Sequence, residues 1–296
     1  MEKKRTKKKL TGKNISMFLF TVPATVLYCI FFIYPIIIGI FYSFTDWNGL
    51  SKEYKFIGLD NYIEAFTNSR FQNAVIFNIK FTVMAVVLIV GISLILALIF
   101  NSQIHFKSFF RGVFFFPAVL GMLVVGLIFN EIFYRVVPEI GKLLKIEALS
   151  TNILANPSLA IYGILIVHVW MAVAMATVML LAGLQSTPQE LYEAAELDGA
   201  NKWKRFRYIT LPFLMPVLSV VVILQVKSGL TVYDLIVALT NGGPGGATES
   251  LAMLIYNHGF KEVKFSYAIA EALILTVVIC TISFVQTSIS NKKKVY

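Results

Sequence analysis

Thr187-Pro188-Gln189-Glu190-Leu191-Tyr192-Glu193-Ala194-Ala195-Glu196-Leu197-Asp198-Gly199-Ala200 lies between two long apolar runs, Leu159 to Leu184 and one that begins near Leu211. A polar stretch so placed is a loop between membrane spans, yet it carries strong helix signals. Thr187 with Glu190 three residues on has the form of a capping box, and Pro188 falls at the first helical position. Glu190, Glu193 and Glu196 suit the positive end of the helix dipole. Gly199 ends the helix as a left-handed cap would. The expected element is a helix of about three turns, with Leu191, Ala194 and Ala195 close together on its surface. Two adjacent alanines let another backbone approach closely, so the helix reads as one to be gripped by a partner.

Composition sets the class. Of the 296 residues 57% are hydrophobic and only 14% charged, too apolar for a soluble domain, and uncharged runs of 18 or more residues mark a polytopic membrane protein. The net charge of +10 does not indicate nucleic-acid binding, because the bases cluster beside spans rather than on one soluble face. Cys29 and Cys280 support no disulfide framework or metal site and read as small buried residues.

In chain order, residues 1–15 are a basic tail. The run from Ser16 to Phe44 is too long for a signal peptide and lacks its cleavage site, so it reads as a retained first span bent by Pro23 and Pro35. Further spans are expected at about 77–100, 112–130, 159–184, 211–236 and 268–291, with the loop at 185–210 and a short tail at 292–296. The fold class is therefore all-α with six transmembrane helices. Six spans put both termini on one side. Sixteen Lys and Arg fall in the two tails, the 101–112 turn and the 185–210 loop, against eight in the opposite segments. That asymmetry places both termini and the loop in the cytoplasm.

The loop also resembles a known motif. Glu193-Ala194-Ala195, three residues, Gly199, nine residues, Ile209, one residue and Leu211-Pro212 match the EAA loop of binding-protein-dependent ABC importer permeases. Phe56-Ile57-Gly58-Leu59-Asp60-Asn61-Tyr62 and Thr240-Asn241-Gly242-Gly243-Pro244 resemble segments of the carbohydrate branch. The chain looks more like the shorter glycerol-phosphate and multiple-sugar permeases than the maltose type with its extra spans. The resemblance implies a type I importer fold and a coupling segment of Glu190, Glu193, Ala194, Ala195, Asp198, Gly199 and Ala200. It also implies the partners: a second homologous permease, two ATP-binding subunits that bind ATP and Mg, and an extracytoplasmic solute-binding protein, all working at a lipid bilayer by alternating access. The substrate implied is a sugar or oligosaccharide; a glycerol-phosphate or an acidic sugar is the alternative.

No phosphate-binding G-x-x-x-x-G-K-[ST] occurs and no catalytic set is arranged in the sequence, so the chain reads as a non-enzymatic pore subunit without a cofactor of its own. Polar groups in spans are costly and mark a substrate path. The candidates are His168 and Trp170 in the fourth span, and Lys227, Ser228, Thr231, Tyr233 and Asp234 in the fifth. An aromatic stacked on a sugar face beside hydrogen-bonding groups is what carbohydrate recognition needs; helix–helix contact or interfacial anchoring is the competing reading, and the stronger one for His168. Lys227, Thr231 and Asp234, spaced i, i+4 and i+7, share one face if the fifth helix runs through them. Counting from Leu211, Lys227 then sits roughly 24 Å up a core about 30 Å thick. An ion-coupled secondary transporter would instead need membrane-buried acids, for which Asp234 and Glu271, both near span ends, are the candidates. A structural subunit of a membrane enzyme would transport nothing.

Overall fold

The computed structural model describes residues 12–102 and 107–292. Most of the basic tail, His105 and Lys293–Lys294 lie outside them. α1 (Gly12–Tyr28) continues through a π turn at Cys29–Ile33 into α2 (Tyr34–Tyr42). The turn lets Tyr34 N–H reach back to Cys29 O just before Pro35, whose ring can donate nothing. α3 (Asp60–Thr67) leads into α4 (Ser69–Asn101), at 33 residues about 50 Å long and more than a bilayer core requires.

The third span, expected over 112–130, is bent. α5 (Lys107–Phe115) gives way at Pro117 to a 3₁₀ turn, and the chain resumes as α6 (Met122–Glu131) and α7 (Val137–Leu143). The two halves meet at 102°. Pro117 removes a helical donor, and Leu120 and Gly121 are extended, with ψ of 142° and 130°. The described residues therefore hold five helices long and apolar enough to cross a membrane, and a sixth if this bent pair counts as one span.

α8 (Ala160–Gln185) is the central helix. It buries much of its length, Ile164, Val167, Met171 and Leu180 among the enclosed residues, and leaves Tyr162, Ile166 and Trp170 exposed along one face. It packs against α4, and Phe81, Ala85 and Ile89 fill the seam. α9 (Gln189–Leu197) and α10 (Lys202–Arg205) follow; α10 runs through a π turn into α11 (Leu211–Leu230), so Lys202–Leu230 is one 29-residue helix. α12 (Asp234–Leu239) packs on α6. α13 (Leu251–Tyr256) and α14 (Phe265–Lys292) complete the chain. A second apolar cluster at the end of the bundle away from α9 joins Phe71, Ala74, Leu230, Leu251, Leu254 and Leu275. Both cysteines are exposed, against the expectation that they are buried: they sit on helix faces that no other described element covers.

Candidate functional site

α9 projects from the bundle with none of its residues buried. Its start differs from the sequence expectation. Pro188 is the N-cap, with ψ of 129°, and no side chain caps the helix; Thr187 Oγ1 is buried without a partner among the described residues. The capping box does not form, because the N-cap Pro188 has neither an N–H nor a side-chain acceptor, and Thr187 lies one residue outside the cap. The helix end follows the expectation. Gly199 has φ of 72°; its N–H donates to Glu196 O at 3.0 Å, and Ala200 N–H donates to Ala195 O at 2.8 Å. These are the two bonds of a Schellman cap.

Two side-chain contacts tie α9 to the foot of the long helix. Tyr192 Oη meets Thr210 Oγ1 at 2.9 Å, and Arg205 donates to Glu196 at 3.0 Å. Neither pairing was legible in the sequence, since each joins residues 18 or 9 apart through a turn. Glu190, Glu193, Ala194 and Asp198 stay on the surface, and Ala195 and Ala200 are partly covered.

The seven candidate path residues do not form one cluster. His168 is buried against Phe81, ring centroids 5.2 Å apart, and its Nε2 has no partner among the described residues. Trp170, two residues on, points to nearly the opposite side of α8; it is 40% exposed and stands against Phe129 at 5.4 Å. Lys227 and Thr231 are exposed and Ser228 is partly so. The expected stripe through Asp234 is not on one helix. α11 stops at Leu230; Thr231, at φ −109°, is its cap, and its Oγ1 and N–H both donate to Lys227 O. Tyr233, at φ −136° and ψ −65°, breaks the chain, and Asp234 opens α12. Lys227 and Asp234 still reach the surface on either side of the break. Tyr233 packs on Tyr256 at 5.6 Å.

A polar network at the same end escaped the sequence reading. Arg70, in the first turn of α4, grips Glu249 with two hydrogen bonds of 2.6 Å and Glu262 with a third of 2.6 Å. Asn257 donates to Glu249 at 2.8 Å, and His258 Nδ1 meets the fully buried Glu271 at 2.8 Å. Glu271, expected as an acid near a span end, is enclosed with His258 as one pair. Sequence separations of up to 192 residues hide such partners; the available signal was a Glu and an Asn inside apolar runs.

A model of the binding-protein-dependent transport system inner membrane component family matches residues 89–295. The chain belongs to this family. It is a multi-pass membrane permease, and the α9 loop is the EAA loop inherent to the family. It is 41% identical over 276 residues, 93% of this chain and 95% of the relative, to the multiple sugar-binding transport system permease protein MsmF of Streptococcus mutans. It is 32% identical over 98% of both chains to the probable starch degradation products transport system permease protein AmyD of Thermoanaerobacterium thermosulfurigenes. Its fold matches that of a bacterial alginate ABC transporter solved with an alginate pentasaccharide-bound periplasmic protein, with TM-score 0.82, 20% identity and 96% of each chain covered. The permease thus shares the importer architecture implied by its loop.

Proposed function

We propose that this permease forms half of an ATP-driven import pathway for a sugar or oligosaccharide and takes its energy through α9 from a separate ATP-binding subunit. The observation that carries the reading is the exposed EAA helix, shut off by its Schellman cap and bonded to the foot of Lys202–Leu230. A contact made on α9 is passed by Tyr192 and Glu196 to that helix, and so to Lys227 and Thr231 at its far end. The substrates printed in the names of the two similar permeases support the sugar class. Two such permeases, two ATPases and an extracytoplasmic binding protein make the complete importer, with ATP and Mg held by the ATPases. Glu190, Glu193, Ala194, Ala195, Asp198, Gly199 and Ala200 form the coupling surface. Lys227, Ser228, Thr231, Tyr233 and Asp234 line the outer mouth, Trp170 stands deeper, and His168 acts as packing between α4 and α8.

The orientation follows from the distribution of basic residues and is open to direct test. A cysteine at Ser51 reacts with an impermeant thiol reagent in whole cells and one at Ser186 does not; the reverse pattern sinks both the orientation and the docking of an ATPase on α9. For the mouth, Thr231→Leu and Asp234→Ala are expected to cut uptake about tenfold, as loss of one or two polar contacts to a hydroxylated substrate would, while assembly and basal ATP hydrolysis stay normal. Lys227→Ala adds a comparable loss only for an anionic substrate. Normal uptake in all three variants assigns these residues to packing.

A further inference from the structure

The break after Leu230 lies beside an unusual residue of α4. The buried face of that helix runs Phe71, Ala74, Phe77, Phe81, Ala85 and Ile89, and Asn78 sits within it, fully enclosed. Its side chain makes three bonds. Nδ2 donates to Leu230 O at 2.8 Å and Gly229 O at 3.3 Å, and Oδ1 accepts from Leu251 N–H at 2.9 Å. One amide thereby satisfies two of the orphan carbonyls at the end of α11 and an orphan N–H at the start of α13. Ser250 completes the arrangement: its Oγ donates to Val232 O at 2.7 Å and accepts from Met253 N–H at 3.2 Å.

The approach is close because residue 229 is glycine. A Cβ there would lie 2.7 Å from Thr82 Oγ1 and 3.0 Å from Thr82 Cα, so α11 crosses α4 one turn from Asn78 with backbone against backbone. Unpaired backbone groups at membrane depth cost several kcal/mol each. The break in the fifth span is therefore tenable only where Asn78 and Ser250 stand. A single polar group in an apolar seam also fixes register, since sliding α11 along α4 by one turn would strand the amide and both carbonyls.

We infer that Asn78 is a positioning residue for transport: it fixes the far end of the Lys202–Leu230 helix, whose near end is held by α9, and so sets the placement of Lys227, Thr231 and Asp234 at the mouth. The inference rests on the reading of those three as pathway residues. Movement of α9 acts on a helix about 43 Å long, and what that movement does at the mouth depends on where the far end is anchored. With the anchor removed, ATP turnover continues while the mouth follows it less faithfully.

The quantity to measure is the number of ATP molecules hydrolysed per solute imported, in the complete importer reconstituted with its binding protein. That ratio does not change with the amount of assembled complex, so a purely structural role would leave it alone. Asn78→Leu removes all three bonds at similar volume and is expected to raise the ratio about tenfold, the effect of orphaning buried backbone groups. Asn78→Asp keeps the acceptor for Leu251 and loses both donors, and an intermediate rise of about threefold is expected. Ser250→Ala, which removes the neighbouring bond, should raise the ratio in the same direction. If Asn78→Leu does not assemble, the other two variants decide the matter. A wild-type ratio in every variant that assembles overturns the inference. Should Thr231→Leu and Asp234→Ala leave uptake untouched, the pathway reading fails instead; a normal ratio in the Asn78 variants with damaged uptake in those two removes the anchor alone.

Discussion

Gly199→Pro is expected to abolish coupled transport, with solute uptake down by about a hundredfold, while the permease still inserts and is recovered in normal amount. Proline holds φ near −65°, whereas residue 199 sits at 72°. It also has no N–H, so the 3.0 Å bond to Glu196 O is lost, and the partner bond from Ala200 to Ala195 O goes with the altered turn. A misplaced proline of this kind costs about 3 kcal/mol or more, and roughly 1.4 kcal/mol is a factor of ten. The loss falls on α9, which buries no residue, so folding of the spans is spared and only the geometry offered to the ATPase changes. Gly199→Ala keeps the N–H and strains the angle by about 1–2 kcal/mol, so a graded series follows: mild for alanine, severe for proline. Glu193→Lys, a charge reversal on the exposed face, should likewise uncouple without loss of the protein. The measurement is solute-stimulated ATP hydrolysis beside the yield of co-purified complex. Wild-type hydrolysis in the proline variant would show that α9 is not the coupling element.

The second large effect is on stability, through Arg70. Arg70→Met takes the guanidinium from Glu249, which is 7% exposed, and leaves that carboxylate with only Asn257. Removing one partner of a fully buried pair costs about 3–5 kcal/mol and of a surface pair under about 1. Arg70 is itself partly exposed, so a loss of about 2 kcal/mol is expected at neutral pH. The pH dependence has a definite sign. Burial pushes the carboxyls of Glu249 and Glu262 up, but the hydrogen bonds and charge of Arg70 and the charge of His258 outweigh it, with Asn257 bonded to Glu249 and Lys264 near Glu262, and both are held below the ordinary 4.5. Groups lowered on folding contribute stability above the unfolded value, and that contribution is lost as pH falls through the folded one. The gap between wild type and Arg70→Met should therefore be widest near pH 7 and should close below about pH 4.5. Arg70→Met with Glu249→Gln removes both charges and should be less damaging than Arg70→Met alone. Thermal unfolding in detergent from pH 4 to pH 7 reads all three. A gap that stays constant across that range would mean the network contributes shape and not charge.

Sequence alone determined the class of this protein. Apolar runs of fixed length made it a multi-span membrane protein, and the spacing from Glu193 to Pro212 identified the EAA loop. Gly199 marked the end of the α9 helix. These features are local: hydropathy over twenty residues, or a left-handed angle at one glycine, is set by neighbours along the chain. The start of α9 was misread because Pro188 serves two competing local rules, as first helical residue and as a restriction on Thr187, and only the folded loop shows which prevails. The third span was placed at 112–130 without its bend, because Pro117 inside an apolar run does not say how far the halves will turn; in the fold the second half lies against α12.

The site was legible as a list of residues and not as a place. His168 and Trp170 both stood as polar interruptions of the fourth span, with contact between helices the stronger reading for His168; a helical step of two residues separates them to opposite sides of α8, and α4 covers His168. The stripe from Lys227 to Asp234 assumed that helix continues where helix is possible. It ends at Leu230 because Asn78, 152 residues earlier, offers its carbonyls a better arrangement, and Ser250 does the same for Val232. Hydrogen bonds between segments far apart in the chain leave no periodic trace in composition. Where the backbone of a membrane protein can afford to stop being helical is therefore decided only when the tertiary structure brings the missing donors into place.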